Sequence, residues 1–384
     1  MRKVIFHPFK KEVLCNHGDN LLEVARKANV FIDAPCNGSV SCGKCKVKLL
    51  KGNVRPVDNI DRKFFKLEPE YISACHSEVV EDIEVNVPTI FAKSIEEMRI
   101  DDLSRETDLK LFDIAKNYIT ESRMTFTSYV KKDYLEIGKP SLTDYISDWD
   151  RLKRHLKVHL GYSNVFCRLP ILRKLPQLLR QCDFRMTITH IPRGSKRTTI
   201  INMEPGDSTS RLYGVAVDIG TTSVAAFLVD MHEGELLSKA SAGNAQIQYG
   251  VDVINRIMYA TKDDGLEKLN SVVIHDTINP LLKKMLSDAG VARDEVIAFV
   301  AAGNTTMSHL LLGVYPDYLR REPYVPAFVR APFVKASELE IGINPETFLY
   351  LVPSVSSYVG GDITAGVLSS GIWSSPENSL FIDL

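Results

Sequence analysis

The sequence lacks the features that would assign it to a membrane or to nucleic acid. No apolar run approaches the roughly 18 residues needed to cross a bilayer. The 47 Lys and Arg residues balance 48 Asp and Glu residues, so the basic footprint of a general nucleic-acid binder is missing. The N-terminus has neither the apolar core nor the cleavage site of a signal peptide. A cytoplasmic location is therefore expected, with neither a membrane nor nucleic acid as a partner.

Cysteines are few and odd in number, which argues against a disulfide framework. Seven occur in 384 residues, and no export signal accompanies them. Five of the seven lie in the first 75 residues, and three of these fall within ten residues of one another. Such clustering raises the question of what these thiols hold.

What the chain does contain is the composition of a globular protein, 45% hydrophobic and 25% charged. Its length predicts two or three domains, at roughly 150 residues each. The pattern of strands and helices predicts a multidomain protein of α/β and α+β class. We expect a small strand-rich domain at 1–90, a helical linker at 91–130, a mixed middle domain at 131–206 and an α/β domain at 207–384.

Residues 1–90 predict a small sheet that carries one helix. Runs at 4–6 and 12–14 predict a hairpin, and 20–28 predicts a short helix capped by Asp19 or Asn20. A unit of this size has a thin core of its own, so a metal centre is a plausible stabiliser.

Four of the cysteines have a spacing that suits a [2Fe–2S] cluster. Cys36, Cys42 and Cys45 follow the pattern C-x5-C-x2-C, and Cys75 comes after 29 intervening residues. Four thiolates can supply two ligands to each iron, and the small residues of the loop let backbone N–H groups approach the sulfides. A structural zinc site and buried free thiols are the alternatives. Zinc sites usually pair two C-x2-C knuckles, and one such pair is present, so the spacing favours the cluster.

The run Cys36-Asn-Gly-Ser-Val-Ser-Cys-Gly-Lys-Cys-Lys-Val, with Ala74-Cys75 downstream, resembles the plant- and vertebrate-type [2Fe–2S] ferredoxins. The resemblance covers most of 1–90 and implies a β-grasp fold. Soluble ferredoxins are typically acidic, whereas this segment has nearly balanced charge, which favours a tethered electron carrier. Cys15, Cys167 and Cys182 are expected to be unpaired structural thiols.

Three glycine-containing turns in the last domain are candidate phosphate-binding loops. They begin at Asp218-Ile-Gly-Thr-Thr-Ser, at Gly303-Asn-Thr-Thr and at Gly360-Gly-Asp. Glycine permits a sharp bend, and successive backbone N–H groups can hold a phosphate. Asp218 could bind Mg²⁺ through water. The candidate residues are Asp218, Gly220, Thr221, Thr222, Ser223, Gly303, Asn304, Thr305, Thr306, Gly360, Gly361 and Asp362.

Each of these turns has a simpler structural interpretation. The first fits an ordinary hairpin turn, and Asn304 or Asp362 fits a helix cap. Three such turns within 150 residues nevertheless favour nucleotide binding.

Asp218-Ile-Gly-Thr resembles the first phosphate motif of the superfamily of acetate and sugar kinases, 70-kDa heat-shock chaperones and actin. The resemblance implies a ribonuclease-H-like half and binding of ATP with Mg²⁺ between two such halves. The stretch 380–384 resembles the strand that leads into the second motif, with Asp383 as its aspartate. We therefore expect a C-terminally truncated chain that lacks a complete ATP cleft.

The domain order, with Gly250-Val-Asp-Val-Ile-Asn-Arg-Ile and Ser356-Ser-Tyr-Val-Gly-Gly-Asp, resembles the reductive activators of corrinoid proteins. Asn244-Ala-Gln stands where that family has Asn-Pro-Gln. The resemblance implies ATP-dependent transfer of one electron from the [2Fe–2S] cluster, which returns Co(II) to Co(I). It implies a corrinoid protein of a methyltransferase system and an upstream electron donor as partners, and a homodimer is left open.

No catalytic residue is assigned from the sequence, and two other functions stay open. One is a redox-sensing regulator in which the state of the cluster controls nucleotide binding without catalysis. The other is a small-molecule kinase with an appended ferredoxin domain.

The segment 151–180 contains eight Lys and Arg residues and no Asp or Glu. A docking face for an acidic partner is one interpretation. A solvated helical face, with Arg and Lys stems covering apolar surface, is favoured over it.

Overall fold

The computed structural model describes residues 1–28, 30–34, 38, 42–57, 70–88, 106–121, 128–374 and 376–382. These residues form three units, each built on a sheet of its own, with five, four and six strands. The expected multidomain fold class is confirmed. No helix in these ranges is both long and apolar enough to span a membrane.

The first unit is a five-stranded sheet crossed by one helix. Its strand order is β2-β1-β7-β3-β5, with β1 and β7 parallel, and β4 pairs with β6 beside it. The elements are β1 Arg2–His7, β2 Lys11–Cys15, α1 Leu21–Lys27, β3 Lys46–Lys51, β4 Val54–Pro56, β5 Tyr71–Ser73, β6 Ser77–Val79 and β7 Ile83–Asn86.

Alternation along β1 buries Val4 and Phe6 in the core of this unit, as expected for a strand with one face covered. The predicted hairpin is confirmed as the antiparallel pair β1–β2. The predicted helix is confirmed as α1, and Asn20 is its cap, since the Asn20 side chain accepts a hydrogen bond from the Leu22 N–H at 3.0 Å.

The helix α2, Glu106–Glu121, lies in the segment predicted as a helical linker. Its Lys116 Nζ donates a hydrogen bond to the Gly234 carbonyl at 2.8 Å. The linker helix is therefore attached to the third unit.

The second unit is a four-stranded sheet in the order β8-β10-β11-β9 with two helices packed on it. Leu152, Leu156, Leu175 and Leu179 of the helices are buried together with Met186 of the sheet. The elements are β8 Lys131–Glu136, α3 Asp148–Leu160, β9 Asn164–Cys167, α4 Leu169–Gln181, β10 Arg185–Pro192 and β11 Arg197–Pro205.

The basic segment 151–180 is partly neutralised by acids that precede it. Arg151 is buried and its Nη1 lies 2.7 Å from an Asp144 carboxylate oxygen. Arg180 Nη1 lies 2.7 Å from Asp148 Oδ2. The interpretation as a solvated helical face is wrong for Arg151, because the fold buries this residue and brings an acid from outside the segment against it.

The third unit is a six-stranded sheet flanked by helices. The π-helical turn Val272–Ile278 connects two of its helices. The elements are β12 Tyr213–Ile219, β13 Ser223–Asp230, β14 Glu235–Gly243, α5 Val253–Ala260, α6 Gly265–Ser271, α7 Asn279–Ala289, β15 Val296–Gly303, α8 Thr305–Leu311, β16 Val334–Lys335, β17 Phe348–Leu351 and α9 Gly361–Ser370.

The strand order of the third sheet is β14-β13-β12-β15-β17-β16. The first three strands form an antiparallel meander, and β15 and β17 then run parallel to β12. This is the arrangement expected of a ribonuclease-H-like half. Val217, Phe299 and Met285 are buried where α7 and the sheet share one core.

The strand predicted at 380–384 is wrong over its described part. Residues 380–382 belong to no strand, and Leu380 and Ile382 are exposed. A strand needs a neighbouring strand to take up its backbone hydrogen bonds. These residues instead lie along α9, where the Phe381 ring would be 2.2 Å from a Cβ at Gly366. Asp383 lies outside the described residues.

Arg26 of α1 joins the first unit to the third. Its Nε donates to the Gln248 carbonyl at 3.0 Å, and its guanidinium lies 5.5 and 5.2 Å from the ring centroids of Tyr249 and Tyr259. The residue is only 4% exposed. A desolvated guanidinium over aromatic rings contributes about 2 kcal/mol, so this contact fixes the position of α1 on the third unit.

We expect Arg26→Ala to loosen this contact, because it removes a hydrogen bond and two ring contacts together. A loss of about 2 kcal/mol corresponds to roughly 30-fold faster exchange of the amide hydrogens that are protected only by the Arg26 contact. The rate of hydrogen exchange at residues 245–250 measures this loss. Lys27→Ala is the matched control, since the Lys27 side chain is 62% exposed. Equal exchange in the two variants would contradict the prediction.

Candidate functional site

Two of the predicted cluster ligands are brought together by a pair of neighbouring strands. Cys45 directly precedes β3, and Cys75 lies in a 3₁₀ turn directly after β5. The two strands are antiparallel, with Lys46 opposite Ser73. Their adjoining ends therefore place Cys45 Sγ 3.2 Å from Cys75 Sγ, with both cysteines buried.

The surroundings of Cys45 favour its thiolate. A hydrogen bond from the Cys75 side chain lowers the pKa of Cys45 to about 6, the Ser73 hydroxyl adds to this, and burial opposes it. Ser73 Oγ lies 3.0 Å from Cys45 Sγ. The thiolate is the form of cysteine that binds metal.

The pair also has a spacing that suits a shared metal. Two sulfurs about 2.3 Å from one tetrahedral metal ion lie less than 4 Å apart, and the 3.2 Å separation is within that limit. These donors therefore fit one iron of a thiolate-bound cluster.

Of the other two predicted ligands, Cys42 and Cys36, the structure describes only Cys42. Cys42 is partly buried and precedes Cys45 by three residues. Cys36 lies outside the described residues. Within the described ranges, no group of three or more His, Cys, Asp or Glu side chains is close enough to hold a metal ion.

The remaining cysteines are separate thiols, as expected. Cys15 is buried, Cys167 and Cys182 are partly buried, and none of the described cysteines forms a disulfide. Burial raises the pKa of Cys15 and of Cys167. Neither is therefore activated as a nucleophile or a metal ligand.

The three glycine turns meet at one edge of the third sheet. Strands β12, β15 and β17 are parallel, so their carboxyl ends lie at the same edge. Ile219 at the end of β12 is opposite Gly303 at the end of β15. A Cβ at Gly303 would lie 2.8 Å from the Ile219 carbonyl oxygen, so glycine allows the two ends to approach closely.

Side chains connect the turns as well. Asn304 Nδ2 donates to Thr221 Oγ1 at 3.1 Å. A Cβ at Gly360 would lie 2.4 Å from Asn304 Cα, which places the third turn directly against the second. The residues that the sequence separates by about 140 positions thus form one local surface.

The candidate residues differ in their exposure at this surface. Asp218, Thr222 and Ser223 are exposed. Thr305 and Thr306 are buried. The Thr305 hydroxyl donates to the Ser356 carbonyl at 2.6 Å, so it holds the loop that precedes the third turn.

The helix-capping interpretation is confirmed for Asn304 and wrong for Asp362. Asn304 Oδ1 accepts from the Met307 N–H at 2.9 Å and caps α8. Asp362 lies in the first turn of α9, and the cap position is Gly360. Gly361 is buried, and its Cβ would lie 2.4 Å from the Val352 carbonyl oxygen.

Sequence reasoning missed two residues that contact the first turn. Asn244 Nδ2 donates to the Gly220 carbonyl at 2.9 Å, and Arg256 Nη2 donates to the Thr221 carbonyl. Both belong to the motifs Asn244-Ala-Gln and Gly250-Val-Asp-Val-Ile-Asn-Arg-Ile. The two motifs mark these residues in the sequence, but their pattern does not indicate which groups the side chains contact.

Comparison with protein families matches three successive regions of the chain. Residues 5–80 match the 2Fe-2S iron-sulfur cluster binding domain, residues 119–210 the RACo linker region, and residues 213–375 the RACo middle region. The first match supports a [2Fe–2S] cluster over the zinc alternative.

Two individual proteins are also similar to this chain. The corrinoid activation enzyme RamQ of Eubacterium limosum is 26% identical, over 100% of this chain and 57% of that protein. A component of the Na(+)-translocating NADH-quinone reductase of Chlamydia felis is 23% identical, over 65% of this chain and 67% of that protein.

A solved structure extends the similarity to the fold of the described chain. The reductive activator for corrinoid, iron-sulfur protein superposes with a TM-score of 0.58 at 33% identity. The match covers 98% of this chain and 59% of that one. The chain thus spans less than two thirds of the length of this structure and of RamQ. With its [2Fe–2S] domain followed by the RACo linker and middle regions, the chain belongs to the family of the reductive activators of corrinoid proteins.

Proposed function

We propose that this protein carries out ATP-dependent reductive activation of a corrinoid protein. The observation that carries the proposal is the meeting of three glycine turns at one sheet edge, in a chain whose first unit pairs two buried cysteines. One region would bind the nucleotide, and the other would hold the electron carrier.

The phosphates of ATP would bind at the turn that follows β12. Thr221 and Thr222 offer successive backbone N–H groups there, and Gly303 and Gly360 keep the neighbouring turns close. Asp218, exposed at the end of β12, would hold Mg²⁺ through water. The small side chains leave room for an anion between the turns.

The four cysteines of the first unit would bind the cluster. Cys45 and Cys75, with their sulfurs 3.2 Å apart, suit one iron, which leaves Cys36 and Cys42 for the other. When bound, the cluster supplies one electron at a time. Burial of Cys45 and Cys75 limits the access of water to that side of the site.

The electron count balances with a one-electron partner. Cys36, Cys42, Cys45 and Cys75 would hold a cluster that supplies the one electron by which Co(II) of the corrinoid becomes Co(I), and an upstream donor would supply the electron that replaces it. The Co(II)/Co(I) couple lies at low potential, and each gap of about 60 mV makes the equilibrium roughly tenfold less favourable. Binding or hydrolysis of ATP would offset this through a change in docking.

The two alternatives differ from this proposal in measurable ways. A redox sensor would bind nucleotide with an affinity that depends on the cluster's oxidation state, without turnover. A small-molecule kinase would transfer phosphate to an acceptor other than water. Nucleotide affinity measured with oxidised and with reduced cluster tests the sensor, and detection of a phosphorylated acceptor tests the kinase.

We expect the full-length protein, supplied with a reductant and Mg-ATP, to remove the Co(II) signal of its corrinoid partner. The reason is that ATP offsets the unfavourable electron transfer. Electron paramagnetic resonance of Co(II) measures the loss, with ADP in place of ATP as the control. Equal loss with ATP, with ADP and without nucleotide would contradict the proposal.

We expect Cys42→Ser and Cys75→Ser to abolish or sharply change the visible absorbance of the purified protein. Each change removes a thiolate ligand, so iron and acid-labile sulfide should fall with it. Cys182→Ser is the control, because Cys182 lies in the second unit, away from the paired thiols. Stoichiometric zinc without iron in the unaltered protein would overturn the cluster assignment.

A further inference from the structure

The segment that connects β14 to α5 has no role in the function proposed so far. It begins at Asn244 and ends at Arg256 in the first turn of α5. It contains Asn244-Ala-Gln and most of Gly250-Val-Asp-Val-Ile-Asn-Arg-Ile. The sequence of these two motifs does not indicate what they bind. In the fold it lies behind the turn formed by residues 220–222.

Three successive carbonyl groups of that turn are held from behind by this segment. The Gly220 carbonyl accepts from Asn244 Nδ2 at 2.9 Å. The Thr221 carbonyl accepts from Arg256 Nη2. The Thr222 carbonyl accepts from the Asn244 backbone N–H at 2.8 Å. Asn244 and Arg256 therefore donate all three of these hydrogen bonds.

This arrangement determines where the N–H groups of the turn point. In a trans peptide the carbonyl and the following N–H point in opposite directions. With their carbonyls held from behind, the peptides after Gly220 and Thr221 direct the N–H groups of Thr221 and Thr222 to the other side. Neither N–H has an acceptor among the residues that the structure describes. Both are thus available to an anion.

Arg256 adds a positive charge at the rear of the turn. It is fully buried, and its other oxygen acceptors are the Gly250 carbonyl at 2.9 Å and Gln246 Oε1 at 3.0 Å. No carboxylate of the described residues forms an ion pair with it. Burial lowers its pKa to about 9 and the nearby charge of Asp252 opposes this, so it is still charged at neutral pH. A buried charge without a counter-ion is unfavourable by several kcal/mol. An anion bound across the turn reduces that cost.

We propose that Asn244 and Arg256 are positioning residues for the phosphates of the nucleotide. They fix the carbonyls of residues 220–222, and the Arg256 guanidinium polarises the peptide whose N–H belongs to Thr222. This inference rests on the nucleotide site proposed above and adds the residues that set its affinity for phosphate. Neither side chain touches the ligand itself.

The test compares nucleotide affinities of the full-length protein by calorimetric titration with Mg-ATP and with adenosine. Arg256→Met keeps the length of the side chain and removes its charge. Asn244→Ala removes the bond to Gly220 and the one that the side chain accepts from the Gln246 N–H, and it keeps the backbone bond to Thr222. We expect ATP to bind about 10- to 100-fold more weakly to Arg256→Met, and adenosine to bind as before. Arg256→Lys should recover part of the ATP affinity, because it restores the charge.

The control is Arg293→Met, an exposed arginine whose Nε lies 3.5 Å from the adjacent Asp294; it should bind ATP unchanged. A purely structural role predicts equal losses for ATP and adenosine, and that result would overturn the inference. Unchanged ATP affinity in both Arg256→Met and Asn244→Ala would do so too. If Arg256→Met does not fold, Asn244→Ala decides. An unaltered protein that binds neither ligand would refute the nucleotide site itself, and this inference with it.

Discussion

The parallel pairing of β12 with β15 is the contact on which the proposed nucleotide site depends. It brings Ile219 opposite Gly303 and thereby places two turns side by side at one sheet edge. Glycine at position 303 permits the distance, because a Cβ there would press on the Ile219 carbonyl. The third turn then rests on Asn304 through Gly360. A parallel sheet collects the carboxyl ends of its strands at one edge, so loops that are distant in sequence can share a ligand.

In the first unit, strand pairing also brings distant residues together, here through antiparallel strands. The adjoining ends of β3 and β5 place Cys45 against Cys75. The segment that begins at Asn244 contacts both the first unit and the turn that follows β12. Its Asn244 side chain donates to the Gly220 carbonyl of the candidate phosphate turn, and its Gln248 carbonyl accepts from Arg26 of α1. The first unit and the candidate phosphate turn therefore contact the same short piece of chain.

Much of this organisation follows from local pattern. The hairpin β1–β2, the helix α1 and the meander that begins at β12 are visible as alternating or periodic hydrophobicity bounded by turn residues. The strand expected at 380–384 shows where local pattern stops being sufficient. Phe381 and its neighbours have a strand-like composition, yet a strand forms only where a partner edge is available, and residues 380–382 lie along α9 instead.

The sequence by itself determined the chemical types: the cysteine spacing, the glycine turns and the order of the three regions. Only the tertiary structure decided which of these residues meet. Arg256 illustrates the difference, since its position in α5 fits a surface arginine as well as the buried one that bonds to Thr221. The physical reason is that burial and hydrogen bonding of a polar side chain depend on contacts between distant segments. Local periodicity constrains those contacts only weakly, whereas spacing within a motif is local and can be read directly.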